Sequence, residues 1–137
     1  MRLSKTSEYA LRVLSFMINS DTEMFSAKFL IKKLDVPDKY LRRLMTDLSK
    51  NGFIRSVQGR DGGYVFAKSA TDIYLSQVVD AVEGMDKYQG CILGFGKCSD
   101  DNPCSLHTKY APIRNDLIHF LSSTTISELK SKDVLKF

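Results

Sequence analysis

The chain contains no proline-, glycine- or serine-rich stretch and no single-residue tract, so nothing in its composition marks a disordered linker. It shows no self-similar period of solenoid length, which excludes a repeat array. The apolar run from Ala10 to Ile18 is interrupted by Arg12, lacks a cleavage site and is too short to span a bilayer. A cytoplasmic protein with no membrane partner is therefore expected. Cysteine is scarce and odd in number, three residues in all. Without a secretion signal, that argues against a disulfide framework and for reduced thiols or metal ligands. There is also no nucleotide-binding glycine motif and no nucleophile, base and orienter set, so an enzyme is not expected.

What is present fits one hydrophobic core, or a small head with an extended arm, in 137 residues. Apolar residues at 43% and charged residues at 26% are ordinary for an ordered globular chain. The net charge of +4 is unevenly placed. Residues 1–68 hold 13 Lys/Arg against 7 Asp/Glu, whereas residues 69–137 hold 7 against 9. The front half is thus the candidate surface for a polyanion such as nucleic acid.

Leu3, Tyr9, Ala10, Val13, Leu14, Met17 and Ile18 recur at helical spacing, which predicts a first helix over residues 4–19 with Ser4 as N-cap. Ser26 caps a second, with Phe29, Leu30 and Leu34 on one face, and Asp35-Val36 make a short turn. Pro37 suits the first turn of a third helix, where its missing N–H has no partner to lose, and Asp38 suits the same end electrostatically. That helix runs through Tyr40, Leu41, Leu44, Met45 and Leu48 to the left-handed stop Asn51-Gly52. Its other side presents Lys39, Arg42, Arg43, Thr46 and Lys50.

Strand-like runs at residues 53–57 and 64–67 flank Gly59-Arg60-Asp61-Gly62-Gly63 and predict a hairpin. Two helices, a helix with a basic outer face and a glycine-tipped hairpin follow one another in the order of a winged helix-turn-helix. In that arrangement the third helix enters the major groove of double-stranded DNA, and Arg60 approaches a neighbouring minor groove. The fold class expected is mainly α with a small β-hairpin wing: a winged helix-turn-helix head at residues 1–84, then residues 85–137 carrying a cysteine loop and a long C-terminal dimerisation helix. At the end of the head Leu75 to Val82 form a short helix stopped by Gly84, and in the second unit residues 85–105 lose apolar periodicity. Leu106, Tyr110, Ile113, Leu117, Phe120 and Leu121 then recur every three or four residues, a narrow seam suited to a twofold-related partner helix. Pro112 predicts a kink or a nearby start. Thr125 to Glu128 form a capping box for a last short helix, and His119 is read as a structural residue of the dimer helix.

All three cysteines, Cys91, Cys98 and Cys104, lie in the irregular loop, and His107 follows. The loop holds Gly90, Gly94 and Gly96, so its backbone imposes no fixed side-chain direction and three thiolates can converge on a metal centre. The close cysteine pairs typical of structural zinc are missing, which favours iron–sulfur ligation over zinc. Spacing alone leaves unligated thiols open. A fourth ligand is offered by His107 or by Glu8, the latter delivered from the first helix of a partner subunit.

Several short motifs, in order and nearly throughout the chain, resemble the Rrf2 family of winged-helix transcriptional regulators. They are Met1-Arg-Leu-Ser with Tyr9-Ala10, Tyr40-Leu41, Leu48 to Phe53, Val57 to Tyr64, Val78 to Gly84, the three-cysteine loop and Thr125 to Leu129. The resemblance implies a homodimeric DNA-binding regulator, with repressors among its relatives. It implies an iron–sulfur cluster, two-iron two-sulfur or four-iron four-sulfur, on Cys91, Cys98 and Cys104, sensing redox state, nitric oxide or iron–sulfur status. His107 matches the histidine of assembly-regulating members, and Glu8 matches a carboxylate position of nitric-oxide- or redox-sensing ones. The operator-contacting set it implies is Lys39, Tyr40, Arg42, Arg43, Thr46 and Lys50 with the wing residues Gln58, Arg60 and Gly62. Two departures stand out: Gln58 replaces the usual arginine before the first wing glycine, and the first cysteine gap is one residue longer. The alternatives are a cluster-free winged-helix regulator that senses oxidants through thiols or binds protein, and an iron–sulfur redox protein.

Overall fold

The computed structural model describes residues 2–131; Met1 and residues 132–137, the outer ends of the two expected units, lie outside the described residues. Helix α1 spans Lys5–Asn19, and the Ser4 side chain accepts from the Ser7 N–H at 3.3 Å. Its buried residues Ser7, Ala10, Val13, Leu14 and Met17 follow one helical stripe. Helix α2 spans Ala27–Leu34, capped by Ser26, whose hydroxyl accepts from the Phe29 N–H at 3.1 Å. Asp35 ends α2 in the left-handed region at φ 51°, a conformation aspartate tolerates better than most side chains. Helix α3, Asp38–Lys50, starts one residue after Pro37 and buries Leu41, Leu44, Met45 and Leu48.

Strands β1, Ile54–Val57, and β2, Gly63–Phe66, pair antiparallel with Ile54 opposite Phe66 and Val57 opposite Gly63. The hairpin is tied to the start of α2: Phe25 and Tyr64 exchange backbone hydrogen bonds of 3.0 and 2.7 Å. Backbone crowding explains two of the wing glycines, the first through that contact and the second within the wing itself. A Cβ at Gly63 would stand 2.6 Å from the Phe25 carbonyl oxygen, and one at Gly62 only 2.0 Å from the Val57 carbonyl oxygen. Both obstacles are backbone, so neither position admits a side chain unless the wing moves.

Helix α4, Leu75–Val82, follows a 3-10 turn at Ala70–Asp72. The expected featureless stretch after Gly84 contains one further turn of helix, α5, Asp86–Gln89, which docks through the buried Tyr88. It is too short to leave a periodic signal. Helix α6, His107–Ser123, is one element through Pro112. The proline forfeits a single backbone bond, the one to the Thr108 carbonyl, and the helix starts five residues before it. After α6 the chain returns to the head: the Leu75 N–H bonds to Thr124 O at 2.9 Å and the Ile126 N–H to Ile73 O at 2.8 Å. The Thr125 capping box opens a 3-10 turn, Ile126–Leu129. Leu121 and Ile126 lie in the same apolar cluster as Leu14, Leu44 and Val78, so the C-terminal segment and α3 share one core. Among the described residues no helix is long and apolar enough to cross a membrane.

One polar network crosses this core. The Glu83 carboxylate, whose side chain is 8% exposed, accepts from Ser7 Oγ at 2.6 Å, from the Tyr88 hydroxyl, and from Lys87 Nζ at 3.0 Å. It joins α1, the end of α4 and α5 at a single point. Burial raises the carboxyl's pKa, but the Ser7 and Tyr88 hydroxyls and the Lys87 ammonium outweigh it, and the group lies below the ordinary carboxylate value. A folded-state pKa below the unfolded one contributes stability that is complete above the unfolded value and lost as pH falls through the folded one. Glu83→Gln is expected to flatten the acid limb of stability against pH, and Glu83→Ala to cost about 1–3 kcal/mol by leaving two donors unpartnered. Thermal and urea unfolding from neutral to acid pH measures both; identical acid limbs in the parent and Glu83→Gln would contradict the assignment.

Candidate functional site

The outer face of α3 follows from its inner one. With Leu41, Leu44, Met45 and Leu48 buried, residues at the complementary helical positions must face out, and Lys39, Arg42, Arg43, Thr46 and Lys50 are all exposed. Arg42 is ion-paired through Nε with Asp38 one turn earlier, and Thr46 Oγ1 donates to the Arg42 carbonyl at 2.9 Å. An exposed pair at this spacing is worth about 0.2–0.5 kcal/mol, so it does not withhold Arg42 from a phosphate or base. Arg43 forms no ion pair among the described residues and borders a small cavity of about 170 Å³ with Thr6, Tyr40, Leu44, Asp47 and Val82.

Tyr40 is placed differently from its neighbours. Its hydroxyl is hydrogen-bonded to Thr6, and its ring stands edge-on to Tyr9 with centroids 5.2 Å apart. It clamps α1 against the start of α3. On the wing, Gln58 and Arg60 are exposed at the tip, where the Gly62 N–H closes a turn onto Gly59 O at 3.2 Å. The place of Gly62 is set by the close approach of the Val57 carbonyl, a constraint that spacing in the sequence did not reveal.

The second feature is the loop between α5 and α6. The sulfurs of Cys91, Cys98 and Cys104 all lie within 4.8 Å of one another, and each cysteine is partly exposed. Among the described residues no histidine or carboxylate completes that group. Cys91 and Cys104 approach to 3.5 Å, and the Cys104 N–H donates to Cys98 Sγ at 3.4 Å. Burial raises the Cys91 thiol, but the Phe95 and Leu93 N–H groups, with the thiols of Cys104 and Cys98, pull it down to about 7. Cys98 is lowered by the Cys104 N–H, yet burial and the neighbouring thiols carry it above the ordinary value. Thiols set this close compete for negative charge, and a cation among them removes the conflict.

His107 opens α6 and is buried at 7% exposure, with one ring nitrogen, Nδ1, 3.3 Å from Cys98 Sγ and the other, Nε2, 2.9 Å from Asp100 Oδ1. A neutral ring that donates Nε2–H to Asp100 presents the Nδ1 lone pair toward the thiols, the arrangement of a metal-binding histidine with its orienting carboxylate. Asp100 was not singled out from the sequence; its position within the cysteine loop was the available signal. Glu8 lies elsewhere, paired with Arg2 at 3.0 Å and Lys5 at 3.3 Å. The Arg2 hydrogen bond, followed by Lys5, lowers its pKa against the opposing effect of burial. His119 is exposed on the chain.

The donor set fits an iron–sulfur group: three soft thiolates converge from an irregular loop, with an imidazole beside one of them and no lysine or arginine among the contacts made by the three sulfurs. The chain is similar to known transcriptional regulators. The Rrf2 family, described as an iron-dependent transcriptional regulator, matches residues 3–132. The HTH-type transcriptional regulator IscR of Klebsiella pneumoniae (strain 342) is 31% identical over 130 residues, covering 94% of this chain and 79% of that protein. Among solved structures, CymR, the global cysteine regulator of B. subtilis, aligns with TM-score 0.76 at 21% identity over 94% of this chain and 95% of its own. The IscR of T. potens aligns with TM-score 0.72 at 20% identity over 94% of this chain and 85% of its own. Both share the fold.

Proposed function

The chain belongs to the Rrf2 family of winged-helix transcriptional regulators rather than to an enzyme family, and on that premise we propose that it is a cytoplasmic, homodimeric regulator whose grip on operator DNA is set by an iron–sulfur cluster. The observation that carries the reading is the convergence of the Cys91, Cys98 and Cys104 sulfurs within 4.8 Å of one another. Those three residues supply the thiolates. His107 is the fourth ligand we favour, because it already faces Cys98 and is oriented by Asp100, whereas Glu8 is held by two cations. When bound, the cluster supplies a centre that oxidation, nitrosylation or loss can alter.

The division of labour falls near Gly84. Residues 1–84 read DNA through Lys39, Arg42, Arg43, Thr46 and Lys50, with Gln58, Arg60 and the backbone around Gly62 at the wing. Tyr40 supports that surface from inside by fixing α3 on α1. Residues 85–137 carry the sensor loop and the dimer helix. Along α6, Leu106, Ile113 and Phe120 repeat every seventh residue and are 40%, 61% and 53% exposed, while Tyr110 and Leu117 fill the intervening positions half-buried. A heptad stripe of that kind on the outside of a small protein fits a second copy of the same helix. The loop ends at His107, where α6 begins, so its conformation sets where that seam lies. In a dimer it thereby sets the separation of the two α3 helices across roughly one turn of DNA.

Anaerobic reconstitution with iron and sulfide tests the cluster. Visible absorption with both elements bound is expected, absent in Cys98→Ala and weakened in His107→Ala but not in Glu8→Ala. The reverse order of the last two would assign Glu8 of the partner subunit as ligand, and a colourless, iron-free product would defeat the cluster and leave a thiol-sensing regulator. For DNA, Arg43→Ala or Arg42→Ala is expected to cost about 1–3 kcal/mol at the operator if a base contact is lost, with a smaller loss on random duplex at the same salt. Unchanged affinity and sequence preference would remove these residues from the reading face. For the dimer, Ile113→Asp is expected to yield monomers in sedimentation with the fold intact by circular dichroism. A dimer unperturbed by that substitution would place the interface elsewhere.

A further inference from the structure

Three sulfurs in one group allow three pairings, and Cys91 with Cys104 is the pairing that stands in sulfur–sulfur hydrogen-bond contact, at 3.5 Å. Cys98 Sγ is held by the Cys104 N–H at 3.4 Å and by His107 Nδ1 at 3.3 Å. Cys91 Sγ donates to Cys104 Sγ, and the Phe95 and Leu93 N–H groups around Cys91 come from the same stretch of loop backbone rather than from the core. We propose that Cys91 and Cys104 are an oxidisable pair that closes an intrachain disulfide when the loop carries no cluster, leaving Cys98 as a thiol.

Bond formation requires the two sulfurs to close by about 1.5 Å, to the usual disulfide length of roughly 2.0 Å. Little in the loop resists that movement. Ile92, Leu93 and Phe95 are 55%, 50% and 60% exposed, and Gly94 and Gly96 carry no side chain to pack. Both cysteines are partly open to solvent, so a small oxidant reaches them. The oxidant class is a peroxide. One thiolate of the pair attacks a peroxide oxygen and the O–O bond breaks, giving a sulfenic acid and hydroxide, which takes the proton the thiol gave up. The second thiolate attacks that sulfur; the S–S bond forms, the S–O bond breaks and a second hydroxide leaves as water. Two thiols and one hydrogen peroxide become one disulfide and two waters, with the sulfurs losing the two electrons that the peroxide gains.

The consequence deepens the cluster reading and rests on it: the bridge withdraws two of three thiolates, so an oxidised chain loads no cluster until it is reduced. The bridge itself is tested independently. The full chain, freed of iron and sulfide, is treated with one equivalent of hydrogen peroxide, alkylated with iodoacetamide and mapped by mass spectrometry without reduction. Expected are a Cys91–Cys104 linked peptide, an alkylated Cys98, the same bridge in Cys98→Ser and none in Cys104→Ser. A major bridge containing Cys98, or three alkylated thiols, would overturn the pairing. In a second arm, the bridged chain is incubated anaerobically with iron and sulfide before and after dithiothreitol, and loading is expected only after reduction. Equal loading in both would overturn the gating consequence. A reduced chain that never loads would sink the cluster reading while the mapped bridge stood.

Discussion

The site depends on how an irregular loop is held at its two ends. Sulfurs on a segment with Gly90, Gly94 and Gly96 would scatter if the segment were free, since glycine enlarges the set of backbone states available to it. Here the approach to Cys91 is fixed by α5, whose Tyr88 is buried and bonded to Glu83. The exit from Cys104 is fixed by His107, buried at the start of α6. Between these anchors the chain closes on itself and the thiols meet. Convergence is thus a property of the core on either side, with the loop supplying only the donors.

The same anchors tie the thiols to α3, the helix proposed to read DNA. Glu83 holds α5 to Ser7 of α1, and α1 is clamped to α3 through Thr6 and Tyr40. From the other end of the loop, α6 and the 3-10 turn after it bring Leu121 and Ile126 into a core shared with Leu41, Leu44 and Leu48. Helices packed at interior density shift as units rather than deforming smoothly. Two short routes of named contacts thus connect the loop with α3, and the proposed switch acts through them. The energies needed are modest: a coupling of about 1–3 kcal/mol gives roughly a 5- to 150-fold change in affinity.

Most of the architecture was legible in the sequence because local signals agreed with one another. Ser4 and Ser26 cap where a cap is needed, Asn51-Gly52 stops α3, and α1 and α3 bury the core of the stripes their periodicity marked, whereas in α2 Leu30 and Leu34 are buried and Phe29 is 38% exposed. The exceptions have physical causes. A single helical turn such as α5 is made by the docking of Tyr88, which leaves no periodic trace. Pro112, read as a kink or a nearby start, lies inside α6 five residues after its first residue, because the loss of one backbone bond does not end a helix. The apolar seam of α6 was visible, but only the folded chain separates Leu121, turned into its own core, from Ile113 and Phe120, turned out. At the site the three cysteines and His107 were legible by spacing and type. The pairing of His107 with Asp100, the inward turn of Tyr40 and the backbone crowding at Gly62 depend on contacts that sequence separation does not encode.

The proposal that the state of the thiolate loop governs DNA binding is tested most directly by titration of operator duplex with cluster-loaded and cluster-stripped protein, both anaerobic and at one salt concentration. The account predicts affinities that differ by roughly 5- to 150-fold, with sequence preference retained in at least one state. Equal affinity of the two preparations for every duplex, operator or not, would contradict it.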